Sequence, residues 1–321
     1  MKRNPIGRSY EDILNMFEYG KLTTEETLKK LSVIRNGKAV QPLQAEQPEE
    51  HLDEILAELE SLIGLNNVKG LVKEIQAYIN IQKKRRVEQL VADSLVLHMI
   101  FRGNPGTGKT TVARLLGKIF QKMGVLEKGH LIEVERADLV GEYIGHTAVK
   151  VRDQIKRSIG GIMFIDEAYS LARGGEKDFG KEAIDALVKS MEDYKDNLVL
   201  ILAGYKDEMD TFLRSNPGLK SRFPIHIDFP DYTLEELILI AERMVEKRDY
   251  KLSLSSKARL AKIISKKRIE DGINSGNARL VRNIIERAIR KQAVRLQKGE
   301  DFSRENLLML NSDDITEEDY T

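Results

Sequence analysis

The 321-residue sequence contains no cysteine. Disulfides and zinc–thiolate centres are thereby excluded, and a reducing compartment, the cytoplasm, is the expected setting. Long apolar runs are missing too, since nothing approaches the roughly 20 residues needed to cross a bilayer. The N-terminal Met1-Lys-Arg-Asn-Pro-Ile-Gly-Arg8 is basic but no apolar stretch follows it, so it is not expected to act as a secretory signal. Nor is there an excess of one charge. Lys and Arg number 52 against 51 Asp and Glu, a net charge of +1, so no overall field draws the chain to nucleic acid or an anionic membrane. The length allows about two domains and a substantial core.

What the sequence does contain is a phosphate-binding pattern. Gly103-Asn104-Pro105-Gly106-Thr107-Gly108-Lys109-Thr110 is a complete P-loop, with Thr111 opening the segment behind it. Val96–Phe101 before it reads as a strand, and Thr111–Phe120 after it reads as a helix. Strand, glycine loop and helix is the context that makes the pattern a phosphate site rather than a chance turn. Glycines let main-chain N–H groups converge on phosphate oxygens, and the helix start adds unpaired N–H groups and a positive dipole end. Lys109 is expected to reach the β- and γ-phosphates, and Thr110 to hold Mg²⁺ through its hydroxyl.

A second pattern points to hydrolysis. Gly161-Ile-Met-Phe-Ile-Asp166-Glu167 is an apolar run of strand length ending in two carboxylates. Such a run suits a central parallel strand, whose C-terminal end lies where ligands gather in open α/β sheets. Asp166 is then the expected partner of Mg²⁺, and Glu167 the base that orients and deprotonates water.

Residues 9–35 read as a helical hairpin broken at Gly20, within an N-terminal segment 1–38; it is either a docking element or a bracing extension. An acidic linker, 39–51, leads into Leu52, Ile55, Leu56, Leu59, Leu62 and Ile63, which keep helical spacing. From Ala39 through Val68 there is no Lys or Arg. Strand patterns at 96–101, 131–135, 162–166, 198–203 and 225–229 alternate with helical stretches. That alternation predicts a three-layer α/β domain with a parallel five-stranded sheet over 52–230. After Pro230 the strand patterns stop, predicting a small all-α domain over 231–310. Its last helix, 278–297, is basic through Arg279, Arg282, Arg287, Arg290, Lys291 and Arg295. The acidic tail, 311–321, has no basic residue and is expected to be disordered.

An α/β P-loop domain followed by a small helical domain resembles the AAA+ ATPases. Leu62-Ile63-Gly64-Leu65 with Val68-Lys69 is similar to the segment that lies near the adenine in that family, which assigns Ile63 and Gly64 to the nucleotide. Glu142–Thr147, Phe164–Leu171, Leu202–Tyr205 and Ser215–Phe223 together resemble the CbbX/CfxQ subgroup, which includes red-type Rubisco activases and sporulation ATPases of endospore-forming bacteria. The N-terminal extension looks most like the sporulation members.

The resemblance implies further roles. Arg222, at the end of a helix starting near Lys206, is similar to the arginine finger that reaches a neighbouring subunit's γ-phosphate; capping of its own helix is the plain alternative. Lys220 lies near a second basic position of some relatives. Arg279 resembles the arginine that the lid lays over the nucleotide, against the alternative of a solvated basic face. Tyr143-Ile144-Gly145 resembles a pore loop that grips polypeptide, against that of an ordinary turn. Where relatives place a polar residue at the end of the fourth strand, this chain has Ala203-Gly204, leaving Tyr205 as the candidate hydroxyl.

The leading expectation is thus a cytoplasmic, ring-forming ATPase, a homo-oligomer with a hexamer as the family expectation, that uses ATP and Mg²⁺ to remodel a protein client in spore formation. A DNA-associated motor or loader, using the basic helix as a phosphate track, is the second reading. A slow nucleotide switch or scaffold is the third. Membrane and nucleic-acid partners are not expected under the leading reading.

Overall fold

A computed structural model describes residues 48–91, 96–143, 145–173, 178–271, 276–299 and 301–316. The expected hairpin at 9–35, Ile144 and residues 317–321 lie outside them. The chain divides into two compact units, Met1–His51 and Leu52–Thr321, and the architecture below is that of the second. The expected linker is shorter than its composition suggests, because helix α1 already begins at Pro48 and runs to Ser61.

After α1 come α2 (Asn66–Val87), β1 (Met99–Gly103), α3 (Lys109–Lys122), β2 (Leu131–Val134) and α4 (Arg136–Leu139). Next are α5 (His146–Ser158), β3 (Ile162–Ile165), a 3₁₀ turn (Ala168–Ala172), α6 (Gly180–Asp193) and β4 (Val199–Gly204). Two helices, α7 (Lys206–Ser215) and α8 (Pro217–Arg222), precede β5 (Ile225–Phe229). The five strands form a parallel sheet in the order β2-β3-β4-β1-β5. β1 begins at Met99 rather than Val96 because its ladder partner β5 begins opposite it, at Ile225.

The period-2 pleat separates two cores. Met99 and Phe101 point to one face, where they pack with Val72, Ile75, Leu116, Ile119 and Phe120 of α2 and α3. Ile100 points to the other, with Val151, Ile155, Leu187 and Phe212 of α5, α6 and α7. Both faces are covered, which is why β3 and β4 are buried along their whole length.

The single helix expected from Lys206 to Arg222 is broken. Asn216 has φ −130° and ψ 74°, and Pro217 starts α8 at its first position. The residue before a proline is pushed out of the helical region, and proline itself suits a helix start.

The lid consists of α9 (Leu234–Glu246), β6 (Lys251–Leu252), α10 (Leu254–Asp271), α11 (Asn277–Gly299), α12 (Arg304–Leu308) and β7 (Met309–Leu310). Its core joins Leu237, Ala241, Leu260, Ile264, Val281 and Ile285. The lid is mostly helical but not all-α, because β6 and β7 pair in parallel. Two-residue strands carry no periodic pattern, so they escape detection from the sequence.

The acidic tail also departs from expectation, for its first residues are folded. Asn311 and Asp314 form a capping box around Ser312–Asp314, and Ile315 is fully buried. Arg295 donates Nε and Nη2 to the two Asp314 carboxylate oxygens, each at 2.9 Å. A partner 19 residues away supplies the positive charge that the tail composition lacks.

Candidate nucleotide site

The pocket at the C-terminal ends of the strands has a volume of about 410 Å³. Gly103, Pro105, Gly106, Gly108, Lys109, Thr110 and Thr111 line one side of it. Asp166 and Glu167 line another, Gly204 and Tyr205 a third, and Ala278, Arg279 and Arg282 close it from the lid. Residues up to 179 positions apart in sequence, Gly103 and Arg282, are thus gathered at one place.

The loop's backbone explains its glycines. Gly106 has φ 74°, and a Cβ there would meet the Gly276 carbonyl at 2.3 Å and the Arg279 nitrogen at 2.8 Å. Main chain from the lid approaches too closely for any side chain. Gly108 caps α3 in the left-handed region, leaving the first turn of that helix, Lys109 to Thr111, on the pocket wall.

Lys109 donates its ammonium group to the Gly103 and Asn104 carbonyls at 2.8 and 2.9 Å. Burial pulls its pKa below the usual lysine value; Arg279 acts in the same sense, and Asp166, Asp231 and Glu167 oppose them. A polyanion entering here would supply the counter-charge that burial denies the ammonium group.

The two carboxylates leave the end of β3 in different conformations. Glu167 stands at φ 46°, ψ 43°, and its N–H donates to Asp166 Oδ1 at 3.0 Å. A left-handed glutamate is strained, a feature concentrated at functional sites. Both side chains are exposed toward the pocket they line.

Tyr205 is the N-cap of α7 at the pocket wall, 6.2 Å ring to ring from Tyr169. Gly204 stands in the strand position before it because a Cβ there would meet the Tyr169 ring at 2.7 Å. The Tyr169 hydroxyl is pushed up to about 12 by burial and by Glu167, and the Arg173 guanidinium lies 4.5 Å from its ring centre.

The sequence-derived candidates divide in two. Lys109, Thr110, Thr111, Asp166, Glu167, Tyr205 and Arg279 share the pocket. Ile63, Gly64, Asn104 and Thr107 do not line it; Gly64 sits against Tyr232 and Glu236, Asn104 donates to Asp231, and the Thr107 hydroxyl donates to the Asn104 carbonyl. Arg222 is also outside it, on α8, bonded to Glu192 of its own chain. Tyr143 is 66 % exposed and its ring meets His146 edge-on at 5.4 Å, with Gly145 capping α5. Lys220 is exposed on α8.

Sequence reasoning passed over Arg114, Tyr232, Asp231 and Asn277, and named Arg282 only as part of the basic helix. Arg114 and Arg282 line the pocket, and Tyr232 donates its hydroxyl to the Thr107 carbonyl at 3.1 Å. No local pattern marks these residues. The helical period that places Arg282 on the same face as Arg279 is the one signal that was available.

Residues 99–231 match the family described as ATPase family associated with various cellular activities (AAA), and residues 233–321 match the AAA lid domain. Stage V sporulation protein K of Bacillus subtilis (strain 168) is 56% identical over 266 residues, 83% of each chain. The chain belongs to the AAA family of ATPases. It is an enzyme that hydrolyses ATP. Among other AAA relatives, a CfxQ homologue from Guillardia theta is 46% identical over 277 residues, covering 85% of this chain and 94% of that one. The chloroplastic ribulose bisphosphate carboxylase/oxygenase activase of Cyanidioschyzon merolae is 44% identical over the same length and coverage. The fold also matches the Thermotoga maritima RuvB Holliday junction branch migration motor, with TM-score 0.51 and 20% identity over 80% of this chain and 69% of that one.

As in other AAA proteins a divalent cation is implied, and the donor set fits a hard one. Magnesium takes oxygen ligands, few of them from protein, and completes its shell with phosphate and water. Thr110 and Asp166 supply such oxygens within the same pocket. Among the described residues no group of three or more His, Cys, Asp or Glu side chains could hold an ion unaided. No helix among them is long and apolar enough to cross a membrane.

Proposed function

We propose that this chain is a ring-forming ATPase that remodels a protein client, with each ATP held between two subunits. One observation carries this reading. The pocket gathers the P-loop, two carboxylates and the lid arginine, while Arg222, the remaining cation of the expected set, lies outside it on the surface. An arginine on the surface, away from its own chain's pocket, suits completion of a neighbour's site.

In this reading Lys109 and the loop N–H groups bind the β- and γ-phosphates, and Thr110 and Asp166 are the residues that would hold Mg²⁺, which would supply charge neutralisation there. Glu167 orients the attacking water and takes its proton. Tyr205 offers a hydroxyl to that water, and Arg279 reads the γ-phosphate from the lid. Arg222 of one subunit reaches the phosphate of the next, a contact worth about 10³–10⁵ in rate where such fingers act. Loss of the γ-phosphate releases both arginines, so lid and interface relax together. The exposed Tyr143, two residues before Gly145, the N-cap of α5, offers an apolar face to an extended chain.

The names of the relatives support two further steps. One is named for sporulation, and another as an activase of an enzyme. We therefore assign the client to the protein class and the setting to spore formation. The DNA-track alternative fits less well, because three of the seven basic residues on α11 are engaged elsewhere. Arg279 and Arg282 line the nucleotide pocket, and Arg295 is held by Asp314.

The test is ATP turnover per subunit across a wide range of protein concentration, beside Arg222→Ala. Turnover should climb with concentration and collapse in the variant. Flat turnover that ignores the substitution would sink the shared site and favour a lone P-loop enzyme or slow switch.

A further inference from the structure

Lid and P-loop are joined by a network of side chains, Asn104, Asp231 and Asn277, that do not themselves line the pocket. Its centre is Asn277, the first residue of α11, which is 1% exposed and has φ 46°. Asparagine tolerates the left-handed region better than other non-glycine residues. Its amide is fully engaged. Oδ1 accepts from the Tyr232 N–H at 3.1 Å, while Nδ2 donates to Asp231 Oδ1 at 2.7 Å and to the Pro105 carbonyl at 3.3 Å. These partners fix the amide's orientation, because a flipped group would set an NH₂ against an N–H donor and an oxygen against two acceptors.

Asp231 extends the network back to the loop. Both of its oxygens accept from Asn104 Nδ2 at 3.0 Å. One residue beyond Asn277, the Ala278 N–H donates to the Gly106 carbonyl at 3.2 Å. Residues 104–106 of the P-loop, the hinge pair Asp231 and Tyr232, and the start of α11 therefore form one connected unit. The lid takes carbonyl oxygens and the Asn104 side chain from the loop. It does not compete with a phosphate for N–H groups.

We propose that Asn277 is a positioning residue for Arg279, with Asp231 as its anchor. The proposal rests on the reading of Arg279 as the side chain laid over the γ-phosphate. A long arginine reaches many places, so where its guanidinium falls depends on how firmly its own helix turn is held. Asn277 is two residues away and pins that turn to the loop that carries the phosphates. An error of 1 Å in such placement can cost about a hundredfold in rate. Because the pin reaches Pro105 and Asp231 together, movement of the loop around ATP or ADP is passed directly to the lid.

Steady-state turnover of the full chain, at a protein concentration where rate per subunit is constant, tests this with Asn277→Gly, Arg279→Ala and the double variant. Glycine keeps the left-handed backbone and removes only the three side-chain bonds. Asn277→Gly should lower kcat about tenfold with KM changed less than threefold. The double variant should be no more than twofold slower than Arg279→Ala, since a pin matters only while the arginine is present. Asn277→Gly within twofold of the parent, with Arg279→Ala strongly impaired, would overturn the pin and leave the Arg279 reading standing. Effects that multiply in the double variant would also overturn it, by showing that Asn277 acts independently. An inert Arg279→Ala would remove the reading on which the proposal rests, and the proposal with it. If Asn277→Gly fails to fold, Asp231→Asn carries the same comparison: its loss of rate, about threefold, should vanish in the Arg279→Ala background.

Discussion

Arg222 is held by Glu192 of its own chain, Nε donating at 3.0 Å and Nη2 at 2.5 Å to one carboxylate oxygen. The pair lies on the surface, with side-chain exposures of 36% and 62%. Exposed pairs of this kind contribute about 0–1 kcal/mol, so the arginine is restrained but not locked. A finger that must reach a neighbouring phosphate has to leave or share this partner. Glu192→Gln should therefore raise turnover at subsaturating protein concentration by up to about fivefold, the equivalent of that energy. Turnover titrated against protein concentration checks it. A fall would mean that Glu192 orients the finger instead of competing for it.

Glu167 occupies a strained position beside Asp166, and its proposed work is on water rather than on nucleotide. Glu167→Gln keeps the shape and removes the base. Turnover should drop by about 10²–10⁴, while affinity for a fluorescent ATP analogue stays within about threefold. Loss of affinity in step with turnover would place Glu167 among the groups that hold ATP.

Arg295→Met would strand a carboxylate. Asp314 is 1% exposed, and both of its oxygens are taken by Arg295. Arg295 is itself 30% exposed and the Asn311 N–H still holds Oδ2 at 2.8 Å, so the loss is that of a partly satisfied buried acceptor, about 1–3 kcal/mol, and the melting point should fall by several degrees. Replacing both residues by apolar ones should recover much of the loss, and thermal unfolding of the two variants makes the comparison.

His98 sets an acid limit. It is 3% exposed, its Nδ1 accepts from the Leu200 N–H at 3.1 Å, and burial lowers its pKa to about 4. Its pKa in the unfolded chain is about 6.5, so between these values the unfolded state binds the extra proton. The stabilisation is complete above about pH 6.5 and fades as pH falls toward 4, by a few kcal/mol at most. His98→Asn keeps an acceptor but cannot titrate. Its denaturation midpoint should change less between pH 7 and pH 4.5 than that of the parent chain.

The nucleotide site was legible where its chemistry is contiguous. Strand, P-loop and helix follow one another directly, and Asp166-Glu167 closes its own apolar strand. Local periods and glycine sterics act over a few residues, so they can be read along the chain. Arg279 and Tyr205 were reachable only through resemblance, and the structure brings both to the pocket. Asn277 was not marked at all, because its partners lie 46 and 172 residues away. The acidic tail misled for the same reason, since Arg295 and Asp314 meet across an intervening helix and strand.

Composition and local pattern were enough for the fold class, the parallel sheet and the phosphate chemistry. Each depends on forces between near neighbours: pleat, helical period and the freedom of a missing Cβ. Folding was needed to choose which distant polar groups meet. It set the lid's main chain against Gly106, tied Asn277 to the P-loop and left Arg222 outside the pocket with Glu192. A hydrogen bond is satisfied by any suitable partner within about 3 Å, and only the packed topology limits which partner that is.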